Sequence, residues 1–193
     1  MNSMQYLDQS CENGLKKIPD NSINLIITKP PDSPNNEMSK LGKSLTVGEY
    51  LKWNEKWIND CYRILKETGA IYLICDWSNS GMYQSILNQK FHIQTRISWK
   101  NEAKKATRDF FMIDKLSDIW FASKSNNLST NYRNNIKLTN FWNDIIDYEV
   151  SNQNEEYPKE LIKRLIEISS SKLNWVLDPF CRLGEIGAIA SET

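Results

Sequence analysis

Ala70-Ile71-Tyr72-Leu73-Ile74-Cys75 is an unbroken apolar run with no alternation of polar and apolar residues. A strand that is apolar on both sides must be covered on both sides. That places it within a mostly parallel sheet with helices on each face. Ile23 to Thr28 has the same character, and Pro19-Asp20-Asn21-Ser22 supplies the turn before it. Between the two runs, Thr46-Val47-Gly48-Glu49 opens a long helix that continues through Lys66 and ends at Thr68-Gly69. Ile58, Cys61, Tyr62 and Leu65 form its buried face at helical spacing.

The remaining segments continue the alternation. Met4 to Leu7 reads as a short strand, followed by a helix near Glu12 to Lys17. A further helix covers Gly81 to Asn88, with strands at His92 to Trp99 and Ser117 to Ala122. Ser123 to Asn140 is rich in Ser and Asn and reads as a surface loop. Lys159 to Ser169 pairs Leu161 with Leu165 and Ile162 with Ile166 at one-turn spacing, which predicts a helix. Trp175 to Leu177 is a last strand, and a helix starts near Glu185. Strands alternating with helices define an α/β doubly wound sheet. A chain of 193 residues suits one such domain.

Composition narrows the chemistry. His92 is the only histidine, and Cys11, Cys61, Cys75 and Cys181 are widely spaced, so no metal site is expected. No apolar run is long enough to span a membrane and no signal pattern opens the chain, so the expectation is a cytoplasmic protein. The net charge is zero, yet Lys90 to Lys137 holds ten Lys/Arg against four Asp/Glu. Such a basic segment suits phosphate contact and equally a solvated surface. The seven tryptophans suit core and helix faces as well as base stacking.

Two strand-end turns carry the most specific signal. The strand ending at Thr28 runs into Lys29-Pro30-Pro31-Asp32, and the strand ending at Leu177 runs into Asp178-Pro179-Phe180-Cys181-Arg182-Leu183-Gly184. In this order the pair resembles the two signatures of the DNA amino-methyltransferases, in the permuted arrangement with the proline motif first. Tyr62-Arg63-Ile64-Leu65-Lys66, Trp99-Lys100, Phe141-Trp142-Asn143-Asp144 and Tyr157-Pro158 also resemble landmarks of that family. The resemblance runs from Met4 to Ala190. It implies a Rossmann-like fold that uses S-adenosylmethionine and acts on an exocyclic amine of a base flipped out of DNA. It also implies roles for Asp178, Phe180 and Gly184 at the cofactor, with Asp8 near the adenine.

Within that pattern, the scaffold residues are kept and the working ones differ. Lys29 stands where the family has an Asp or Ser that accepts hydrogen bonds from the target amine, and a protonated lysine only donates. Asp32 stands where an aromatic ring stacks on the base, and Arg182 where the cofactor turn has its first glycine. The family's next strand, with its ribose carboxylate, lies beyond Thr193, so the sheet is expected to lack one strand. The region of about residues 100–140 takes the place of a target-recognition insert, and Lys100, Lys104, Lys105 and Arg108 are candidates for phosphate contact. The expectation is a degenerate methyltransferase domain, weak or inactive. It would bind nucleic acid, or pair with an active subunit or a second copy. The alternative is an active enzyme with an atypical site, or one completed by a second chain.

Overall fold

The computed structural model describes residues 4–31, 45–100, 116–128, 138–145 and 157–193. Along the chain these form α1 (Cys11–Lys17), β1 (Ile23–Thr28), α2 (Val47–Ile64), β2 (Leu65–Asp76), α3 (Trp77–Leu87), β3 (His92–Lys100) and β4 (Leu116–Ser123). After these come β5 (Phe141–Trp142), α4 (Lys159–Ser169), β6 (Val176–Leu177) and α5 (Glu185–Glu192). The strands make one sheet in the order β5-β3-β4-β2-β1-β6. β1 pairs in parallel with both β2 and β6, and β3 in parallel with β5. β4 runs against β2 and β3, so it alone opposes the common direction.

The continuous apolar runs divide between two cores because successive side chains point to opposite faces of a strand. Ile26, Ile71, Leu73 and Cys75 face α1, α2 and α3, where Leu15, Trp57, Ile58, Cys61, Ile64 and Leu87 meet them. Leu25, Ile27, Tyr72 and Ile74 face the other way, toward Leu161, Ile162, Leu165 and Ile166 of α4 and Ile186 of α5. Both faces are covered, as the absence of alternation required.

Local signals explain most boundaries. Thr46 Oγ1 accepts from the Glu49 amide at 3.3 Å and Glu49 Oε2 accepts from the Thr46 amide at 2.8 Å, a closed capping box that starts α2. The Thr46 amide and hydroxyl, which both donate to Glu49 Oε2, hold the Glu49 carboxyl below its usual range. The α2 terminus differs from expectation. The helix stops at Ile64, and the chain from Leu65 through Gly69 already belongs to β2. The buried Lys124 ammonium donates to the Leu65 carbonyl at 2.7 Å, a cation at the carbonyl end of the helix. Pairing with β1 slips between Ile23 and Leu25, and the extra residues of β2 bulge there. Gly69 is therefore a packing glycine in the bulge and not a helix stop. A Cβ on it would lie 3.0 Å from the Asn24 and Lys66 carbonyl oxygens.

Other expectations shift more. Met4 to Leu7 makes no strand. These residues are exposed, and Met4 instead lays its thioether against Gly184 and Gly187. The helix expected at Gly81 begins at Trp77, directly after β2. The expected loop from Ser123 gives up Ser123 itself to β4, and Phe141–Trp142 pairs with β3 through Ser98 and Trp99. Replacing Gly69 by Ala is expected to destabilise the domain by about 1–3 kcal/mol, the cost of overpacking against backbone that cannot yield. Urea unfolding with an unchanged slope measures it.

Candidate functional site

Parallel pairing decides where the two signature turns lie. β6 pairs with β1 through Leu25–Val176 and Ile26–Leu177, so both strands end at the same rim of the sheet. Lys29-Pro30-Pro31 leaves that rim from β1, and Asp178-Pro179-Phe180 leaves it from β6. The two are joined by the Asp178 carboxylate, whose Oδ1 accepts from the Thr28 hydroxyl at 2.9 Å and from the Phe180 amide at 3.0 Å. Thr28 is fully buried, so this bond lies in a low-dielectric setting where hydrogen bonding to a charged group counts most.

A second tie fixes the proline turn from below. The Tyr50 hydroxyl of α2 donates to the Pro31 carbonyl and lies 3.3 Å from the Tyr83 hydroxyl of α3. Tyr83 donates to Asn54 Oδ1 at 3.1 Å, Trp57 Nε1 donates to the same oxygen at 3.0 Å, and Asn54 Nδ2 returns to the Tyr50 carbonyl at 2.9 Å. Tyr50, Asn54, Trp57 and Tyr83 are all buried. The backbone after the prolines is thus held by a closed polar network, not by the prolines alone.

A broad groove opens beside these turns, lined among others by Lys29, Pro31, Trp53, Asp178, Phe180 and Arg182. One wall is aromatic. Phe180 meets Trp57 edge-on at 5.1 Å and Trp53 at 5.6 Å, and Trp53 stacks on Tyr50 at 6.0 Å. The sequence holds a signal for this wall beyond the motifs, because Tyr50, Trp53 and Trp57 recur at the three- and four-residue spacing of one helix face. The turn after β6 contains two left-handed residues. Gly184 has φ +79°, as a glycine readily adopts. Arg182 has φ +34°, a conformation that costs a residue with a side chain on the order of 1–3 kcal/mol.

The structure gathers Lys29, Pro31, Asp178, Phe180, Arg182 and Gly184 around the groove, with Pro30 buried behind it. Asp8 is exposed and does not line it, although Leu7 and Gln9 do. Lys100 is exposed at the end of β3 and is not part of the lining. Asp32, Lys104, Lys105 and Arg108 lie outside the described residues. Among the described residues no His/Cys/Asp/Glu cluster forms a metal site, and no helix is long and apolar enough to cross a membrane.

With this geometry in place, comparison with known proteins gives a consistent result. The family model for DNA methylases of the N6/N4 type matches residues 23–193, and the chain belongs to that family. It is 25% identical over 197 residues to the type II methyltransferase M.HpaI of Haemophilus parainfluenzae, covering 91% of this chain and 62% of that protein. It is 26% identical over 208 residues to the DNA adenine methyltransferase YhdJ of Escherichia coli K12, covering 91% of this chain and 70% of that one. The chain thus spans less than two thirds of the M.HpaI enzyme. Among solved structures, the cytosine-N4-specific PvuII DNA methyltransferase superposes with a TM-score of 0.76 at 16% identity, over 95% of this chain and 76% of that one. A Thermus thermophilus DNA modification methylase, TTHA0409, complexed with S-adenosyl-L-methionine, gives a TM-score of 0.69 at 16% identity, over 94% of this chain and 80% of that one. The fold is the S-adenosylmethionine-dependent methyltransferase fold, with a mixed, mostly parallel sheet.

Lys29 lines the groove where the chain leaves β1. Arg182, with its left-handed backbone, lines it where the chain leaves β6. Met4 fills the space over Gly184, its terminal methyl 3.0 Å from where a Cβ would stand. The groove is shaped by the Asp178 clamp, the aromatic wall and the anchored proline turn.

The groove also holds a thiol. Burial, and then the negative charge of Asp178, push the Cys181 thiol above its ordinary range. A raised value means less thiolate at neutral pH, so Cys181 is expected to alkylate more slowly than a free thiol at pH 7–8 and to gain rate only as the pH climbs further. Iodoacetamide labelling followed across pH by mass spectrometry checks this. The fully buried Cys61, pushed up mainly by burial, should remain unlabelled in the folded protein.

Proposed function

We propose that this chain is a degenerate DNA N6-adenine/N4-cytosine methyltransferase domain that transfers methyl groups weakly or not at all. It works by binding nucleic acid, or as the partner of an active subunit or a second copy, in the cytoplasm. Lys29 carries the reading. It is half-buried, its neighbour Thr28 is locked to Asp178, and its ammonium cannot accept a hydrogen bond from an amine. The centre that develops positive charge during methyl transfer thereby gains a cation where it needs an acceptor. The curated relatives act as type II or adenine methyltransferases. Their shared scaffold therefore supports DNA as the partner class and S-adenosylmethionine as the ancestral cofactor.

The alternative, an active enzyme with an atypical site or one completed by a second chain, draws on the retained Thr28–Asp178 bond and the anchored Pro31 carbonyl. Calorimetry with S-adenosylmethionine separates the two. The isolated chain is expected to show no tight binding, while a variant combining Lys29→Asp with Arg182→Gly gains affinity. Tight binding by the unaltered chain overturns the inactive reading, and binding that appears only with a co-purified subunit favours the completed enzyme.

The nucleic-acid role has its own test in the salt dependence of DNA affinity. Neutralising Lys104, Lys105 and Arg108 together is expected to weaken binding. It should also flatten the plot of log affinity against log salt by about 0.9 for each phosphate that no longer meets a cation. Affinity that does not respond to salt removes this role.

A further inference from the structure

Trp77 is 63% exposed, an unusual position for the largest apolar side chain. It follows Asp76 at the end of β2 and opens α3. β2 is the parallel neighbour of β1, with Thr28 level with Leu73, so Trp77 emerges at the rim from which Lys29-Pro30-Pro31 also leaves. β3 shares the same direction, which puts the exposed Lys100 at that rim too. Across the sheet the order at the rim is Lys100 on β3, the first residues of β4, Trp77 after β2, and Lys29 after β1. With neighbouring strands about 4.8 Å apart, the two lysine-bearing strands are roughly 14 Å apart across the sheet, and the indole-bearing strand lies between them. By the pairing register Trp77 and Lys100 are level, and Lys29 lies roughly 10 Å short of them along the strands.

Cations that track a backbone, interleaved with an exposed ring, form the composition that holds unpaired nucleic acid. The ring takes a base face and the ammonium groups take phosphates. The proline turn itself offers no ring, because position 32 is an aspartate. Trp77 makes none of the ring contacts found in the aromatic wall and is not needed for either core. We infer that Trp77 is a base-stacking residue, which receives an unpaired base of DNA at the rim between Lys29 and Lys100. This inference rests on the nucleic-acid reading above and adds the residue that would hold the base.

The test uses a single-stranded oligodeoxynucleotide carrying one 2-aminopurine, whose fluorescence is quenched on stacking. The unaltered chain is expected to bind it in a salt-dependent manner and to quench it. Trp77→Ala should bind about tenfold more weakly, the loss of one base–aromatic stack. It should leave the base unquenched and keep the same salt slope, since every phosphate keeps its cation. Trp77→Phe should restore most of the affinity. Circular dichroism shows that each variant is folded. If the unaltered chain binds with salt dependence and Trp77→Ala quenches and binds equally well, the stacking role is wrong while the nucleic-acid reading stands. If the unaltered chain shows no salt-dependent binding, both fall.

Discussion

The functional end of this domain depends on one carboxylate. Asp178 accepts hydrogen bonds from the Thr28 hydroxyl and the Phe180 amide, and so joins two turns whose residues lie 150 positions apart in the chain. Parallel strands bring the turns to one rim but leave their backbones free to diverge beyond the last ladder pair. The carboxylate removes that freedom. Because Thr28 is completely buried, losing the carboxylate strands its hydroxyl away from water, which costs on the order of 1–3 kcal/mol. The position therefore has a structural reason to persist that does not depend on turnover.

The same logic extends into the scaffold. Pro31 is held through Tyr50, Tyr83, Asn54 and Trp57, a network within the core that also buries α2 against the sheet. Phe180 rests on Trp53 and Trp57 of the same helix. Both signature turns are thus braced against one helix, and that helix is started by the Thr46–Glu49 capping box. Substitutions at Lys29 and Arg182 leave all of these ties in place.

Most of the fold was legible because it follows from local pattern. β1 and α4 occupy the spans predicted for them, and α1, β3, β4 and α5 start or end within a few residues of theirs. The misses share a cause. The end of α2 is set by Lys124, distant in sequence, which reaches the Leu65 carbonyl. Gly69 reads as a helix stop from its neighbours, yet its role comes from the Asn24 carbonyl across the sheet. Met4 to Leu7 alternates like a strand but finds no strand to pair with among the described residues. At the site, the two turns were visible as motifs. The aromatic wall went unread, although Tyr50, Trp53 and Trp57 recur on one helix face, and the rim position of Trp77 was not visible at all.

By itself the sequence determined the α/β class, the two signature turns, the permuted order and the family. It also led to the expectation that Lys29, Asp32 and Arg182 stand where the family has its working residues. The tertiary structure decided which of these meet. Parallel pairing of β1 with β6 and β2 put Lys29, Asp178 and Trp77 on one rim, and the Asp178 carboxylate locked two of those strand ends together. It also left Asp8 outside the groove and gave Arg182 a left-handed backbone. The physical reason is range. Propensity and periodicity act over a few residues, whereas a sheet's strand order brings together side chains that no local pattern relates.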